Sequence, residues 1–335
     1  MSDSRLTLAL RNQSVHLPQT GRIAVLRPRA DSDLSGLPRE RVDVVQGNRA
    51  AYDSWEQRGY SVSTAIPEDF AAAVVILPRA KAEARALLAR ATAHGGPVIV
   101  DGNKTDGVDS ILRDAKKRAE VSAPYSKAHG KVFQVQATPG IFADWDLPPL
   151  TQLENGWVTA PGMFSADGPD PASVALAGAL PDKLPGRVCD LGAGWGYLAF
   201  HVLERKGVTE CVLVEAEHAA SEAARRNIGE DDRARFLWED ATTWSSAQGF
   251  DHVVMNPPFH TGRAAEPALG AAFIATAARV LASHGTLWLV ANRHLPYEAP
   301  LKEAFRELRE LQGSPGFKLY AARRPKGQSV TRTRR

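Results

Sequence analysis

The sequence predicts an α/β protein of two tandem domains, each a mostly parallel sheet of seven-stranded type with helices on both faces, the N-terminal copy degenerate. Three observations carry this expectation. In both halves, short apolar runs alternate with alanine-rich segments of helical length, the pattern of parallel strands linked by crossover helices. A proline-containing connector without periodicity, Asp146–Gly162, divides the chain near residue 150. The runs on its two sides also resemble one another in order. A chain of 335 residues accommodates two domains of ordinary size. With 44% apolar and 24% charged residues it has a globular composition, which excludes a disordered chain.

The C-terminal half reads element by element. Arg187–Leu191 is a strand and Gly196–Lys206 a helix; Cys211–Glu215 is a second strand, followed by a helix over His218–Asn227. Ala234–Leu237 and Asp251–Asn256 are the third and fourth strands. A long helix over Pro267–Ser283 leads into a fifth strand, Gly285–Ala291. A hairpin over Glu307–Ala322 closes the set, turning at Gln312–Gly316, where Ser-Pro-Gly is turn material.

The N-terminal half is a worn copy. Ala73–Pro78 resembles Val253–Pro258, and an alanine-rich helix follows each. Those helices end at similar turns, Ala93-His94-Gly95-Gly96 and Ser283-His284-Gly285-Thr286. The following strands, Val98–Lys104 and Leu287–Arg293, align, as do the late strands Val132–Gln136 and Phe317–Ala321. This order predicts a duplication with chemistry kept in one copy: a degenerate domain over 1–150, a working domain over 151–325 and a basic tail over 326–335.

Composition removes several classes of function. The longest apolar stretches, such as Phe70–Leu77, fall far short of the ~20 residues that span a bilayer. The first residues lack the apolar core of a signal peptide, which predicts a cytoplasmic protein without membrane contact. The two cysteines, Cys189 and Cys211, lie in strand-like runs without C-x-x-C spacing or clustered histidines; they read as small core residues, and no metal site is expected. Net charge is only +3, yet Arg323, Arg324, Lys326, Arg332, Arg334 and Arg335 crowd the C-terminus without an acid. Such a run either binds phosphates or is simply solvated.

The chemistry concentrates at two strand ends. Asp190-Leu191-Gly192-Ala193-Gly194-Trp195-Gly196 closes one strand and opens a helix, where glycines let the backbone turn tightly and approach a ligand at the positive helix end. Rossmann-like dinucleotide folds share such turns, so the spacing alone is moderately specific. Asp190 and Glu215 favour S-adenosyl-L-methionine. An acid before the glycines can hold an ammonium group, whereas a pyrophosphate would gain nothing from an anion there. Glu215, ending the next strand, is placed for two ribose hydroxyls, and Asp240, after the third, for an adenine amino group.

Asn256-Pro257-Pro258-Phe259 ends the fourth strand, at the carboxyl edge where parallel sheets bind ligands. A planar conjugated amine is a poor nucleophile because its lone pair is delocalised. An Asn256 side-chain oxygen and a Pro257 carbonyl that accept its N–H bonds would let it pyramidalise toward a methyl donor. Prolines lock the local backbone, and Phe259 offers a stacking face for a flat base. Asn256 would also border the cofactor. His260 reads as a rim residue. The expected chemistry is in-line methyl transfer to an exocyclic amino nitrogen, driven by orientation and placed acceptors.

These motifs resemble those of the ribosomal RNA guanine-N2 methyltransferases, and the resemblance covers most of the chain. Pro161-Gly162-Met163-Phe164-Ser165 with Asp167-Gly168 looks like that family's lead-in to the cofactor pocket. Asp190-x-Gly-x-Gly, Asn256-Pro-Pro-Phe-His, Ala291-Asn292 with Leu295-Pro296-Tyr297, and Phe317-Lys318-x-Tyr320 look like its later motifs. The resemblance implies two class I methyltransferase-like domains, the first without cofactor or catalytic motifs and serving to support folding or bind RNA. It also implies Phe164 and Ser165 beside the cofactor, ribosomal RNA or a ribosomal subunit as partner, and guanine N2, most readily in small-subunit 16S rRNA, as acceptor. Leu77-Pro78-Arg79 stands where the tetrapeptide would be in the first copy, and no Asp-x-Gly-x-Gly follows Arg22–Leu26. Two departures are visible: Glu215 where an aspartate is common, and a bulky Trp195 in the glycine loop. Basic residues Arg79, Lys81, Arg85, Lys104, Lys116, Lys117 and Arg118 of the first domain are candidates for phosphate contacts, about half of them simply solvated. Asn-Pro-Pro-aromatic also suits protein glutamine amides and adenine N6, and a non-catalytic assembly factor would keep a cofactor pocket without turnover. A twin-domain chain predicts a monomer.

Overall fold

The computed structural model describes residues 4–258, 267–313 and 315–326. The chain forms two compact units, Met1–Thr151 with Ala160–Ala166, and Gln152–Thr159 with Asp167–Arg335.

The first unit contains strands β1 (Ile23–Leu26), β2 (Val42–Val45), β3 (Ser61–Ser63), β4 (Ala72–Ile76), β5 (Gly96–Asn103), β6 (Tyr125–Lys127) and β7 (Gly130–Ala137). They form one sheet in the order β3-β2-β1-β4-β5-β7-β6. Strands β1 to β5 run parallel, and β7 returns antiparallel to both β5 and β6. Every residue of β1 is buried, because helices cover both faces. Ala24 and Leu26 point into one core, Ile23 and Val25 into the other, as a two-residue period requires. The covering helices are α1 (Arg5–Arg11), α2 (Arg49–Gln57), α3 (Lys81–Ala93) and α4 (Val108–Ala115). Asn48 starts α2 by accepting the Ala51 N–H on its side chain.

Two short strands, β8 (Thr151–Gln152) and β9 (Val158–Thr159), lie within the expected connector, joined by a turn in which the Leu153 N–H donates to the Trp157 carbonyl. Asp146–Gly162 is therefore partly ordered as strand, in pieces too short to show a period.

The second unit repeats the first. Its strands β10 (Lys183–Leu191), β11 (Lys206–Glu215), β12 (Ala234–Trp238), β13 (Phe250–Met255), β14 (Leu281–Asn292), β15 (Phe305–Leu311) and β16 (Phe317–Pro325) take the order β12-β11-β10-β13-β14-β16-β15. The helices are α5 (Pro171–Ala179), α6 (Tyr197–Leu203), α7 (His218–Ile228), α8 (Pro267–Val280) and α9 (Glu298–Ala304). Cys189 and Leu191 face one core and Val188 the other. Both cysteines are free and fully buried, and burial pushes their thiols well above the ordinary range.

The expected elements are present with shifted ends: the helix read as Gly196–Lys206 stops at Leu203, and Lys206 already opens β11. The long helix read as Pro267–Ser283 ends at Val280, since Leu281 already pairs with Phe250 and opens β14. Helices α5 and α9 add to the expected elements. Asp170 caps α5 by accepting the Ser173 N–H, with Pro171 at its first position. No helix among the described residues is long and apolar enough to cross a membrane.

Candidate functional site

The strand order of the second unit reverses at β10, which has β11 on one side and β13 on the other. An open parallel sheet leaves a crevice at the carboxyl ends of two such strands, because their following segments diverge to opposite faces. Asp190 pairs with Val254, so Gly192 and Asn256, each two residues further on, leave the sheet at matching levels on strands spaced by about 4.8 Å. Leu191 pairs with Val214, and Glu215 with Trp238. Asp240, Glu215, the glycine turn and Asn256 thus follow four neighbouring strands along one edge.

The glycine turn is built of left-handed residues. Gly192, Gly194 and Gly196 have φ of +76°, +56° and +89°, a region in which a side chain is strained. Gly192 donates its N–H to the Val214 carbonyl at 2.9 Å. A Cβ there would lie 2.8 Å from the Phe273 ring, and one at Gly196 3.1 Å from Ala224. At Gly194 a Cβ would meet nothing within 4 Å. The first and third glycines are thus needed for packing, whereas the middle one faces open space. Gly192→Ala is expected to destabilise the fold by about 1–3 kcal/mol, visible in a thermal melt. Gly194→Ala should cost only about 1 kcal/mol but weaken cofactor binding in calorimetry; equal effects of the two changes on both readouts would contradict the distinction.

Asp190 is fully buried beneath the turn. Its Oδ2 accepts the Ala199 N–H at 2.9 Å, near the start of α6, while Oδ1 is buried without a hydrogen-bond partner. Burial raises its pKa to about 7, the Ala199 bond opposing and the nearby Glu215 adding to the shift. An ordinary helix-capping carboxylate would not leave one oxygen orphaned in a low-dielectric site, where an unmet acceptor is costly. The partly buried Glu215 accepts the Gly194 N–H on Oε2 at 2.7 Å and the Glu217 N–H on Oε1 at 2.8 Å. Burial again raises its pKa against those bonds. Each carboxylate oxygen has a second lone pair, so Glu215 can hold the turn and still accept from a ligand. Asp240 accepts from the Thr242 N–H and hydroxyl on Oδ1 at 2.9 and 2.7 Å, an arrangement that shapes its own loop. Next to it, the Trp238 indole donates to the Ala216 carbonyl and meets His218 edge-on.

Asn256 is held through its amide nitrogen. Nδ2 donates to Asp170 Oδ2 at 3.0 Å and to Ser173 Oγ at 2.9 Å. Both hydrogens are committed, which leaves Oδ1 as the acceptor this side chain offers a substrate. Asp170 and Ser173 escaped the sequence reading; Asp170-Pro171 ahead of an alanine-rich run was a legible helix start, but nothing local tied it to Asn256. Ser173→Ala is expected to lower kcat about tenfold with KM nearly unchanged, because it loosens one of two bonds orienting the amide. A KM effect alone would argue against that positioning role.

Pro257 is buried and Pro258 exposed. Phe259 and His260 lie outside the described residues. Phe164 and Ser165 belong to the first unit; Phe164 is 58% exposed and Ser165 adopts a left-handed φ of +54°. Trp195 is buried and packs against Trp157 and Tyr197 at ring distances of 5.1 and 5.6 Å, so its bulk fills an aromatic cluster. The later motifs brace the fold. Glu298 takes bonds from Lys318 and the Tyr320 hydroxyl, which hold its carboxyl at about 2, and Gly270 leaves room for the buried Tyr297 ring. Of the basic candidates in the first unit, Lys81 and Arg85 pair with Asp114, and Arg118 with Asp144. Among the described residues no group of three or more His, Cys, Asp or Glu could hold a metal ion.

A doubly wound sheet of this order, with a glycine turn and Asn-Pro-Pro on the two strands flanking its switch point, defines a class I methyltransferase. The family described as Methyltransferase small domain matches residues 154–321. Ribosomal RNA small subunit methyltransferase C of Pseudomonas paraeruginosa is 30% identical over 269 residues, covering 76% of this chain and 80% of its own. The protein of the same name from Psychromonas ingrahamii is 28% identical over 269 residues, 74% of each chain. Among solved structures, the T. thermophilus 16S rRNA N2 G1207 methyltransferase in complex with AdoMet and guanosine superposes with a TM-score of 0.75 at 25% identity. It covers 92% of this chain and 90% of that one. The chain belongs to the ribosomal RNA small subunit methyltransferase C family.

Proposed function

We propose that this protein transfers a methyl group from S-adenosyl-L-methionine to the exocyclic N2 of a guanine in ribosomal RNA, most directly the small-subunit 16S rRNA. The observation that carries this reading is the committed orientation of Asn256, both amide hydrogens bound and its oxygen left to accept, at the strand end facing the glycine turn. Membership of the family supports it, as does the T. thermophilus relative, whose complex holds AdoMet and guanosine.

The residues fit that cofactor. Asp190 keeps an unpartnered carboxylate oxygen under the turn, suited to an ammonium group. Gly194 opens onto free space, and Glu215 has acceptor capacity for ribose hydroxyls. When bound, the cofactor supplies a methyl group on a sulfonium, an electrophile that needs an in-line nucleophile. Asn256 Oδ1 and the Pro257 carbonyl accept the N–H bonds of the guanine amine. Drawing those hydrogens to one side localises the lone pair on nitrogen, and the same acceptors would stabilise positive charge as the N–C bond forms and the methyl–sulfur bond breaks, after which one amine proton is lost to solvent. Pro257 has its φ locked by its ring and its ψ restricted by the following Pro258, so its carbonyl keeps its direction without reorganisation. A base in structured RNA must leave its stack to reach this edge, a cost of a few kcal/mol that unpaired RNA reduces. We read Phe259 as the stacking face for the extruded base, Phe164 and Ser165 as the cofactor lead-in, and Asp240 as the adenine contact. The protein acts as a cytoplasmic monomer, its first domain supporting the fold or the RNA contact.

The test is incubation with methyl-labelled cofactor and total RNA, free subunits and protein extract, followed by nucleoside analysis. Label in N2-methylguanosine of rRNA is expected. Label confined to protein would replace this reading with a glutamine-amide acceptor, label in adenine with an N6 acceptor, and no label with an assembly factor.

A further inference from the structure

We propose that the N-terminal domain carries a phosphate-binding pocket at the place where its twin carries the cofactor crevice, and that this pocket takes a phosphodiester of the RNA. The proposal rests on RNA being the substrate. Strand pairing fixes the correspondence. Leu26 pairs with Val45 as Leu191 pairs with Val214. The next residue repeats the same bond: Arg27 donates its N–H to the Val45 carbonyl at 2.8 Å, as Gly192 does to Val214 at 2.9 Å. Arg27 therefore stands where Gly192 stands and Gln46 where Glu215 does, and Arg29 follows at the residue count of Gly194. Asn48 caps α2 at the position of Glu217 ahead of α7.

The chemistry at these positions is inverted. Asp190, Glu215 and Glu217 are replaced by Val25, Gln46 and Asn48, and two of the three glycines by the turn residues Arg27 and Arg29. A pocket of about 300 Å³ remains, lined by Arg27, Arg29, Gln46, Asn48, Ala51 and Pro78. Arg27 keeps the first left-handed residue of the turn, with φ +59°, although that conformation strains any residue with a side chain. Arg29 and Asp31, at the counts of Gly194 and Gly196, are not left-handed, so one strained residue of the three persists, at the position that keeps the bond to the Val45 carbonyl.

Each arginine is held in place by an acid. Arg27 Nε meets Glu83 at 2.9 Å and Nη1 donates to Gln46 Oε1 at 3.1 Å. Arg29 Nη2 meets Asp106 at 2.7 Å, with its side chain still 52% exposed. Gln46 in turn donates Nε2 to the Pro28 carbonyl and accepts the Asn48 N–H, so it is locked in place. Two guanidiniums held at the mouth of a pocket beside a helix N-terminus match an anion with several acceptor oxygens. The acids Asp190, Glu215 and Glu217 of the twin have no counterpart at the corresponding positions, and the two acids present, Glu83 and Asp106, each orient one guanidinium.

The experiment uses the full chain. A short single-stranded RNA oligonucleotide is titrated by fluorescence anisotropy across a salt series, with wild type, Arg27→Gly, Arg29→Ala and the double variant, and with AMP as competitor. Arg27→Gly relieves the strained turn while removing the charge, so it separates a binding role from a folding one; thermal melts accompany each titration. Each single change is expected to weaken RNA binding about tenfold and to make the salt dependence shallower by about one phosphate contact. Unaltered affinity and salt slope in the double variant would overturn the pocket, as would weaker binding with the full slope retained. AMP that saturates the protein without displacing RNA would reassign the pocket to a free nucleotide and overturn the RNA assignment. Wild-type labelling of rRNA is followed in parallel. Labelling with no arginine effect sinks the pocket alone, whereas a wild type that neither labels nor binds RNA sinks the functional reading and the pocket with it.

Discussion

Asn256→Ala is expected to lower kcat for methyl transfer by about 10²–10³-fold, with cofactor affinity changed by less than about threefold. The side chain offers one acceptor aimed by two donated bonds, and an amine deprived of that acceptor keeps its lone pair in the ring system. Truncation removes the amide that joins Asp170 to Ser173, so a stability loss of about 1 kcal/mol accompanies it. Asn256→Asp retains the oxygen but places a carboxylate against Asp170; two like charges at hydrogen-bond distance repel, and this variant should also be nearly inactive. Asn256→Ala retaining more than about a tenth of wild-type kcat in single turnover would remove Asn256 from the chemistry.

Asp190→Asn should separate stability from function. The carboxyl is fully buried and its pKa is raised from 3.8 to about 7, with burial the main cause. Because the folded-state value is the higher one, the folded protein binds more protons between the two. The stability conferred by that proton is complete below about pH 4 and is lost as pH rises through about 7. At pH 8 the ionised group therefore destabilises the ligand-free protein by about 4 kcal/mol. The asparagine variant, neutral at every pH, should melt several degrees above wild type at pH 8, and the gap should narrow by more than half at pH 5. The same variant should lose cofactor affinity at least tenfold, since a neutral amide no longer attracts an ammonium group. Melting points that track each other across pH would show that the carboxyl is not strained in the folded protein. Unchanged affinity in calorimetry would remove it from the cofactor site.

These two residues differ in how far the sequence revealed them. Asp190 was legible because its neighbours in the chain are its neighbours in space: the strand, the glycines and the helix start are contiguous. Asn256 was legible by type and by its strand end, but its orientation was not. That orientation depends on Asp170 and Ser173, far upstream, and no local period links them to the fourth strand. The two short strands within the connector went unread for a related reason, since strands of two residues are shorter than any period they could show. The end of α8 was misplaced because alanine-rich sequence continues while the pairing of Leu281 with Phe250 draws the backbone into the sheet.

The duplication shows the same limit. Similar runs revealed two copies, and the missing glycines showed that the first had lost its cofactor motif. The placing of Arg27 and Gln46 on the positions of Gly192 and Glu215 came only from strand register. By itself, the chain's order of residues determined which segments become strands, which strand ends carry glycines, acids and the Asn-Pro-Pro turn, and hence the class of reaction. The tertiary structure alone decided which of those ends stand side by side, which carboxylate oxygen is left without a donor and which way an amide is turned. The physical reason is that parallel strands are joined by long crossovers: their register is set by packing both sheet faces, and no single segment contains that information.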